Sequence, residues 1–300
     1  MLNNPIYKEF CAHLNQNNPR RLNEIPFLPI QFFKNHQVCS FPSNEAESIF
    51  RSSGTTTETK AEHYIKDLSV YNKSIVSGFK HFYGELADYT ILALLPGYLE
   101  KKDSSLIYMV NHLFENGAHK NSGFYLNQLD ELKKNLIHEI QKGRKVLLIG
   151  VTHALLGLTN IPFSDKFKQQ LIVMETGGMK GHGKELIREE LHSTLKEKFF
   201  GAEIHSEYGM CEILSQAYSR KSGMFATPPW MKVIIRDIAD PFAKKPANRT
   251  GGINIIDLAN INSCSFIATD DLGRMSTSGE FEILGRFDNS DIRGCNLLLS

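Results

Sequence analysis

The first two thirds of the chain alternate between short apolar runs and longer amphipathic segments. Apolar runs at ILALLP (91–96), KVLLIG (145–150) and QLIVMETGG (170–178) have the length of buried strands. AEIHSEYG (202–209) predicts one more strand that runs into a loop. Because strands of this kind are apolar on both faces, they predict an α/β fold with a mostly parallel sheet and flanking helices.

Helical periodicity fills the gaps between these strands. Leu129, Leu132, Leu136 and Ile140 define an apolar face, and Gly143 follows them as a stop signal. The segment up to residue 50 is polar and rich in proline, which predicts a short helix and then an irregular approach to the loop at 51–60. Apolar spacing predicts further helices over 61–82, 104–114 and 184–199.

The pattern changes after Ala226. KVIIRDI, GGINIIDL, CSFIATDDLG and GEFEILGR are short strand-like pieces separated by turns, with little helical periodicity. We therefore predict an α/β body over residues 1–225 and a β-rich subdomain over residues 226–300.

Composition narrows the class of protein. The chain has 300 residues, 41% of them hydrophobic, and its 34 basic and 33 acidic side chains leave a net charge of +1. This balance argues against a nucleic-acid surface or a polybasic membrane surface. The apolar runs are too short to span a bilayer, and the start MLNNPIYKEF lacks the pattern of a secretory signal. The five cysteines form no C-x-x-C pair, which is typical of reduced thiols in a cytoplasmic protein.

The stretch RSSGTTTETK (51–60) is a candidate phosphate-binding loop. Its hydroxyls and exposed backbone N–H groups are donors for phosphate oxygens, and Lys60 supplies a cation. It is not a Walker loop, because the pattern G-x-x-x-x-G-K-[ST] is absent. By itself it is more typical of a flexible Ser/Thr loop than of a phosphate site. The candidate ligand residues here are Ser52, Ser53, Gly54, Thr55, Thr56, Thr57 and Lys60.

Three further motifs carry polar chemistry. In SEYGMCE (206–212), Tyr208 offers a ring that stacks on a base, and Glu212 offers a carboxylate for Mg²⁺. ATDDLG (268–273) offers a carboxylate that accepts both hydroxyls of a ribose, and Arg286 follows in GRFDNSDIRG (285–294). Each motif alone also fits a structural explanation: a packed tyrosine, a solvated acidic turn, a surface ion pair. The loops at 96–98, 175–183 and 206–212 follow strands that end at one edge of the predicted sheet, where open α/β folds bind ligands.

In this order and spacing, the four motifs resemble those of the adenylate-forming superfamily, over about residues 50–295. RSSGTTTETK is similar to its phosphate loop, SEYGMCE to its Tyr-Gly-x-Thr-Glu motif, ATDDLG to its Thr-Gly-Asp motif and GRFD to its hinge motif. SSGTTTETK, LLPGYLEKKDSSLIYM, METGGMKG and GRFDNSDIRGCNLLL most resemble the acyl-protein synthetases of bacterial luminescence, which are related to phenylacetate–CoA ligases.

The resemblance implies an ATP- and Mg²⁺-dependent ligase that converts a carboxylic acid, expected to be a fatty acid, into an acyl-adenylate and passes the acyl group to a protein cysteine. An acyl-accepting reductase or a carrier protein is the implied partner. Cys295 is the implied nucleophile, although it also fits a small apolar residue on a terminal strand. Thr55 and Glu212 are the other implied catalytic residues, and Glu212 the metal ligand. The implied nucleotide-binding residues beyond the phosphate loop are Gly177, Gly178, Met179, Glu207, Tyr208, Gly209, Asp271 and Arg286.

Two departures from the superfamily pattern leave alternatives open. The sequence stops soon after the hinge motif, so we expect no separate lid domain and no lid lysine; Lys60, Lys180 or Arg286 are the possible substitutes. Cys211 stands where the motif usually has threonine, and a thiol is the weaker hydrogen-bond donor. The alternative functions are a phenylacetate-type acyl–CoA ligase, against which the missing lid argues, and a non-catalytic adenylate-binding subunit, which both departures favour.

Overall fold

The computed structural model describes residues 3–53, 59–95, 103–126, 128–158, 168–177 and 187–287. Its helices are α1 (Pro5–His13), α2 (Phe32–Asn35), α3 (Leu68–Tyr83), α4 (Ser105–Glu115), α5 (Leu129–Gln141), α6 (Thr152–Gly157) and α7 (Arg188–Lys198). Its strands are β1 (Leu28–Pro29), β2 (Ser48–Arg51), β3 (Glu62–Ile65), β4 (Tyr89–Leu94), β5 (Gly123–Phe124), β6 (Lys145–Val151), β7 (Leu171–Thr176), β8 (Glu203–Tyr208), β9 (Ala217–Lys221), β10 (Met224–Ala226), β11 (Met231–Arg236), β12 (Gly251–Asp257), β13 (Phe266–Met275) and β14 (Phe281–Arg286). Within these ranges no helix has both the length and the apolar character needed to cross a membrane.

One large sheet organises the fold. Its strands follow the order β11-β12-β13-β14-β10-β9-β8-β7-β6-β4-β5, and β1 pairs with β13 outside this path. The ladders from β5 through β4, β6 and β7 to β8 are parallel. The ladders from β8 through β9, β10, β14, β13 and β12 to β11 are antiparallel. The predicted α/β class is confirmed, with a sheet that is parallel in part. The domain boundary at residue 225 stays a prediction.

Helices cover both faces of the parallel part, as the continuous apolar strands predict. Along β4, Ile91 and Ala93 belong to the core that α3 and α4 cover, whereas Leu92 and Leu94 belong to the core under α5 and α7. This division follows from the alternation of side chains along a strand. Every residue of β4 is buried, and the Thr90 hydroxyl donates a hydrogen bond to Glu139 Oε2 at 2.8 Å.

The helix predicted over 61–82 is wrong in its first part. Residues Glu62–Ile65 form β3, which pairs antiparallel with β2 in a separate two-stranded sheet. The helix begins only at Leu68, because the Asp67 carboxylate accepts a hydrogen bond from the backbone N–H of Ser69 at 2.8 Å and caps it. Tyr64 and Ile65 match helical spacing by coincidence, since both are buried by their place in a strand.

The other predicted elements within the described residues are confirmed, to within a few residues at their ends. The hairpin of β9 and β10 had not been predicted. Ser222 and Gly223 connect its strands with φ of 58° and 69°. Two successive residues with positive φ are typical of the two-residue hairpin turns that match the strand twist. The Ser-Gly pair at this position was therefore the available sequence signal.

Candidate functional site

Tyr208, Asp271 and Arg286 meet where β8, β13 and β14 come together. Tyr208 is the last residue of β8, and its hydroxyl donates a hydrogen bond to Asp271 Oδ2 at 2.6 Å. Arg286 is the last residue of β14 and lies directly opposite Asp271 in the β13–β14 ladder. Its Nε donates to Asp271 Oδ1 at 3.1 Å. Both oxygens of one carboxylate therefore have partners from two other strands.

Burial distinguishes the members of this cluster. Tyr208 is 8% exposed and Asp271 is 6% exposed, whereas the Arg286 side chain is 79% exposed. Burial, together with the neighbouring Asp271 carboxylate, raises the pKa of the Tyr208 hydroxyl well above its ordinary value. The phenol therefore keeps its proton and donates a hydrogen bond to Asp271. The exposed guanidinium contributes little to stability through this pair.

Asp270 and Asp271 are adjacent but have different partners. Successive side chains of a strand point to opposite faces, and the Asp270 carboxylate accepts a hydrogen bond from Gln31 on the other side of β13. Only Asp271 lies beside Tyr208. The predicted role of Asp271 in binding a ribose stays a prediction.

Glu212 is a buried carboxylate in the loop that follows β8. Its side chain is 7% exposed, and burial raises the pKa of this carboxyl, which a hydrogen bond from the Cys211 thiol only partly opposes. Within the residues that the structure describes, Glu212 has no basic partner within ion-pair distance. A carboxylate in this situation fits a bound cation, since a hard cation such as Mg²⁺ prefers oxygen ligands. The described residues hold no cluster of three or more metal-ligating side chains, so oxygens of a bound ligand or water would complete such a site.

Four hydrogen bonds hold the backbone and side chains of the Glu212 loop, which we define as residues 211–215. His63 Nδ1 donates to the Cys211 carbonyl at 2.7 Å, and Asn260 Nδ2 donates to the Glu212 carbonyl at 2.7 Å. The two oxygens of Asp257 accept hydrogen bonds from the Leu214 backbone N–H at 2.8 Å and the Ser215 hydroxyl at 2.6 Å. The loop is therefore fixed from β3 on one side and from the end of β12 on the other.

Sequence reasoning missed the three residues that hold this loop. No sequence pattern links His63 or Asn260 to Glu212, because both residues lie in segments that are distant from it along the chain. Asp257 carries a local signal, since it caps the short 3-10 helix Leu258–Asn260 and accepts from the Ala259 backbone N–H at 3.0 Å. That signal predicts a turn, not a contact with the Glu212 loop.

Cys211 is poorly suited to nucleophilic chemistry. Its side chain is buried, and burial, with Glu212 as the next largest cause, raises the pKa of this thiol far above its ordinary value. Because the thiolate is the reactive form, the Cys211 thiol is inert near neutral pH. Cys295, the cysteine that the resemblance implies, lies outside the described residues.

Glu207, Gly209 and Gly177 shape the ends of the parallel strands. The Thr176 hydroxyl donates to Glu207 Oε2 at 2.5 Å, which joins the end of β7 to the end of β8. A Cβ at residue 209 would overlap Glu207 Oε1, so a larger residue there would displace the Glu207 carboxylate. Gly177 follows β7 with a φ of 75°, a conformation that favours glycine.

The base of the candidate phosphate loop is a hairpin, and its tip lies outside the described residues. Ser52 closes the hairpin, because its hydroxyl accepts from the Ala61 backbone N–H at 2.9 Å and its own N–H donates to the Ala61 carbonyl at 3.1 Å. Ser53 and Lys60 are exposed on either side of the loop. The expected ligand residues outside the described ranges are Gly54, Thr55, Thr56 and Thr57 here, and Gly178, Met179 and Lys180 after β7.

Comparison with known proteins identifies the fold. No protein-family model and no curated protein matches the sequence. ATP-bound MatB from Rhodopseudomonas palustris matches with a TM-score of 0.58 and 17% identity, over 82% of this chain and 49% of that chain. O-succinylbenzoate coenzyme A synthetase from Bacillus subtilis, in complex with AMP, matches with a TM-score of 0.55 and 17% identity, over 82% of this chain and 50% of that chain. 2-Hydroxyisobutyryl-CoA ligase, in complex with 2-HIB-AMP and CoA, matches with a TM-score of 0.67 and 11% identity, over 96% of this chain and 66% of that chain.

These likenesses confirm the predicted α/β fold, with a partly parallel sheet and flanking helices. The chain spans about half the length of MatB and of the MatB chimeras that it also matches. At this level of sequence identity the agreement concerns the fold alone.

Proposed function

We propose that this protein uses ATP to convert a carboxylic acid into an acyl-adenylate and then transfers the acyl group to a cysteine thiol of a protein. The observation that carries the proposal is the convergence of Tyr208 and Arg286 on the buried carboxylate of Asp271. A carboxylate held in this way accepts hydrogen bonds from both hydroxyls of a ribose, and the tyrosine ring lies beside it. Fatty acids are the proposed substrate class, from the resemblance to the acyl-protein synthetases of bacterial luminescence.

In the first half-reaction, a carboxylate oxygen of the acid attacks the α-phosphorus of ATP. A new phosphorus–oxygen bond forms, the bond to the oxygen that bridges to the β-phosphate breaks, and pyrophosphate leaves. Asp271 would hold the ribose, and Glu212 would hold Mg²⁺. The metal ion, when bound, offsets the charge of the phosphates. The hydrogen bonds to the Glu212 loop keep the carboxylate in place, which reduces the reorganisation that the reaction requires.

In the second half-reaction, a thiolate attacks the acyl carbonyl, a carbon–sulfur bond forms and AMP leaves. Cys295 is the proposed nucleophile, and Arg286 and Arg293, which are near it in the sequence, would favour its thiolate form. Burial and the raised pKa of the Cys211 thiol argue against that residue as the acceptor. The thioester would then be delivered to a reductase or a carrier protein.

An acyl–CoA ligase of the phenylacetate type is the second candidate function. The specific observation in its favour is the fold likeness to a CoA synthetase and to a CoA ligase crystallised with CoA. In that reaction the thiol of CoA, and not a protein cysteine, accepts the acyl group.

One experiment separates these functions. The protein is incubated with ATP, Mg²⁺ and a panel of fatty and aromatic acids, with and without CoA, while pyrophosphate release and intact protein mass are measured. Acid-dependent pyrophosphate release with a hydroxylamine-sensitive mass increase in the absence of CoA supports the main proposal. Product that forms only with CoA supports the second candidate. ATP binding without pyrophosphate release under any condition contradicts both and indicates a non-catalytic adenylate-binding subunit. Glu212→Gln is the control for metal-dependent chemistry.

A further inference from the structure

We propose that His63 is a positioning residue that couples the β2–β3 hairpin to the Glu212 loop and so fixes the carboxylate that receives the metal ion. The metal-binding role of the carboxylate rests on the proposed function. The link between His63 and the Glu212 loop does not, because it consists of hydrogen bonds within the protein alone.

The position of His63 explains how one side chain links two segments. His63 lies on β3, three residues after Lys60, and is fully buried. Its Nδ1 donates to the carbonyl of Cys211, the residue directly before Glu212. The opposite strand of the hairpin places Phe50 across from His63, and Phe33 packs edge-on against the imidazole ring at a centroid distance of 5.6 Å. The ring is therefore held on several sides, and a movement of β3 is transmitted to the Glu212 loop.

The hydrogen bond also defines the tautomer of the ring. Because a carbonyl oxygen only accepts, the proton lies on Nδ1, and Nε2 of the neutral imidazole carries a lone pair. His63 Nε2 is buried and has no hydrogen-bond partner among the described residues, and the same is true of Asn260 Oδ1. Asn260 is the residue that holds the neighbouring Glu212 carbonyl.

Both side chains line one small cavity between β3 and the turn after β12. Its volume is about 10 Å³. The two side chains that hold the consecutive carbonyls of Cys211 and Glu212 therefore border the same cavity.

The test compares two substitutions of His63 with a control. His63→Asn keeps an N–H donor near the position of Nδ1, whereas His63→Phe keeps the ring packing and removes the donor. His205→Phe is the matched control, because His205 is also a buried histidine, yet its described partners are Tyr83 and Glu203 and not the Glu212 loop.

Hydrogen–deuterium exchange of the ligand-free protein is the first measurement. We expect His63→Phe to speed amide exchange in residues 211–215 by about tenfold, the change that loss of one hydrogen bond produces. His63→Asn and His205→Phe should leave the exchange of this segment within about threefold of the original protein. Unchanged protection of 211–215 in His63→Phe overturns the inference, whatever the protein catalyses.

The second measurement is the binding of Mn²⁺ in the presence of a non-hydrolysable ATP analogue, monitored by electron paramagnetic resonance. The Mg²⁺ dependence of pyrophosphate release is measured on the same proteins. In His63→Phe, both half-saturation concentrations should rise about tenfold, and His63→Asn should restore them. If the original protein binds no metal with the analogue, the proposed function fails while the exchange result stands. If metal binding is unchanged in a His63→Phe protein whose loop exchanges faster, His63 does not position the metal ligand.

Discussion

The contact between Tyr208 and Asp271 permits a quantitative test by a double-mutant cycle. Tyr208→Phe removes only the hydroxyl that donates to Asp271 Oδ2 at 2.6 Å. Asp271→Ala removes the acceptor and leaves a buried hydroxyl in a tyrosine that is 8% exposed. The double variant has neither group. It therefore lacks the hydrogen bond but contains no buried tyrosine hydroxyl without a partner.

The structure sets the expected size of each effect. A hydrogen bond to a charged group contributes about 1.5–3 kcal/mol, and an unsatisfied buried polar group costs about 1–3 kcal/mol. The ion pair of Asp271 with the exposed Arg286 adds at most about 1 kcal/mol. We therefore expect each single variant to lower the free energy of unfolding by about 1–3 kcal/mol. The double variant should be less destabilised than the sum of the two by about 1.5–3 kcal/mol, a coupling that only groups in direct contact produce.

Urea unfolding followed by tryptophan fluorescence is the assay. The chain has one tryptophan, Trp230, whose Nε1 donates to Ser74 at 3.1 Å and to Ser215 at 3.0 Å, so its emission reports on the packing of α3 against the Glu212 loop. The slope of the unfolding free energy against urea has to stay the same in all four proteins for the comparison to hold. If the changes in the two single variants sum to the change in the double variant within about 0.5 kcal/mol, the two groups are not in contact. In a parallel titration, Asp271→Ala should weaken ATP binding about 10- to 100-fold, and Asp270→Ala should weaken it less.

Three further predictions concern charge and the nucleophile. Because burial raises the pKa of Glu212, the folded state loses stability as pH rises above about 4.5. In urea unfolding, Glu212→Gln should therefore stabilise the protein more at pH 7 than at pH 4. The same substitution should abolish Mg²⁺-dependent pyrophosphate release. Burial lowers the pKa of His63 to about 4, so the free energy of unfolding falls as pH falls from about 6.5 to about 4. This decrease is on the order of 3 kcal/mol and should be absent in His63→Asn. The same pH dependence in both proteins would contradict this. Cys295→Ser should keep pyrophosphate release and lose the hydroxylamine-sensitive mass increase, whereas Cys211→Ser should keep both; the reverse result would place the nucleophile at Cys211.

Local patterns were sufficient for most of the secondary structure. β4, β6 and β7 are buried on both faces of the sheet, and their continuous apolar runs reflect this directly. The cap of α4 is equally local, since the Ser104 hydroxyl accepts from the backbone N–H of Ile107. The first part of the 61–82 segment was misread, because four residues are too few to distinguish a strand from a helix by period.

The fold class and the polar motifs at the ends of strands are both visible in the amino-acid sequence. Both depend on the spacing of residues within about ten positions, which the chain displays directly. Which of these groups meet depends on the three-dimensional packing of the strands. Arg286 and Asp271 are 15 residues apart and are joined by the register of two strands, and Tyr208 and Asp271 are 63 residues apart and are joined by the folding of the sheet. His63 reaches the Cys211 carbonyl across 148 residues, and a hydrogen bond at that separation leaves no trace in local periodicity. Its partner is a backbone carbonyl, which every residue possesses, so only the packing of β3 against the Glu212 loop selects it.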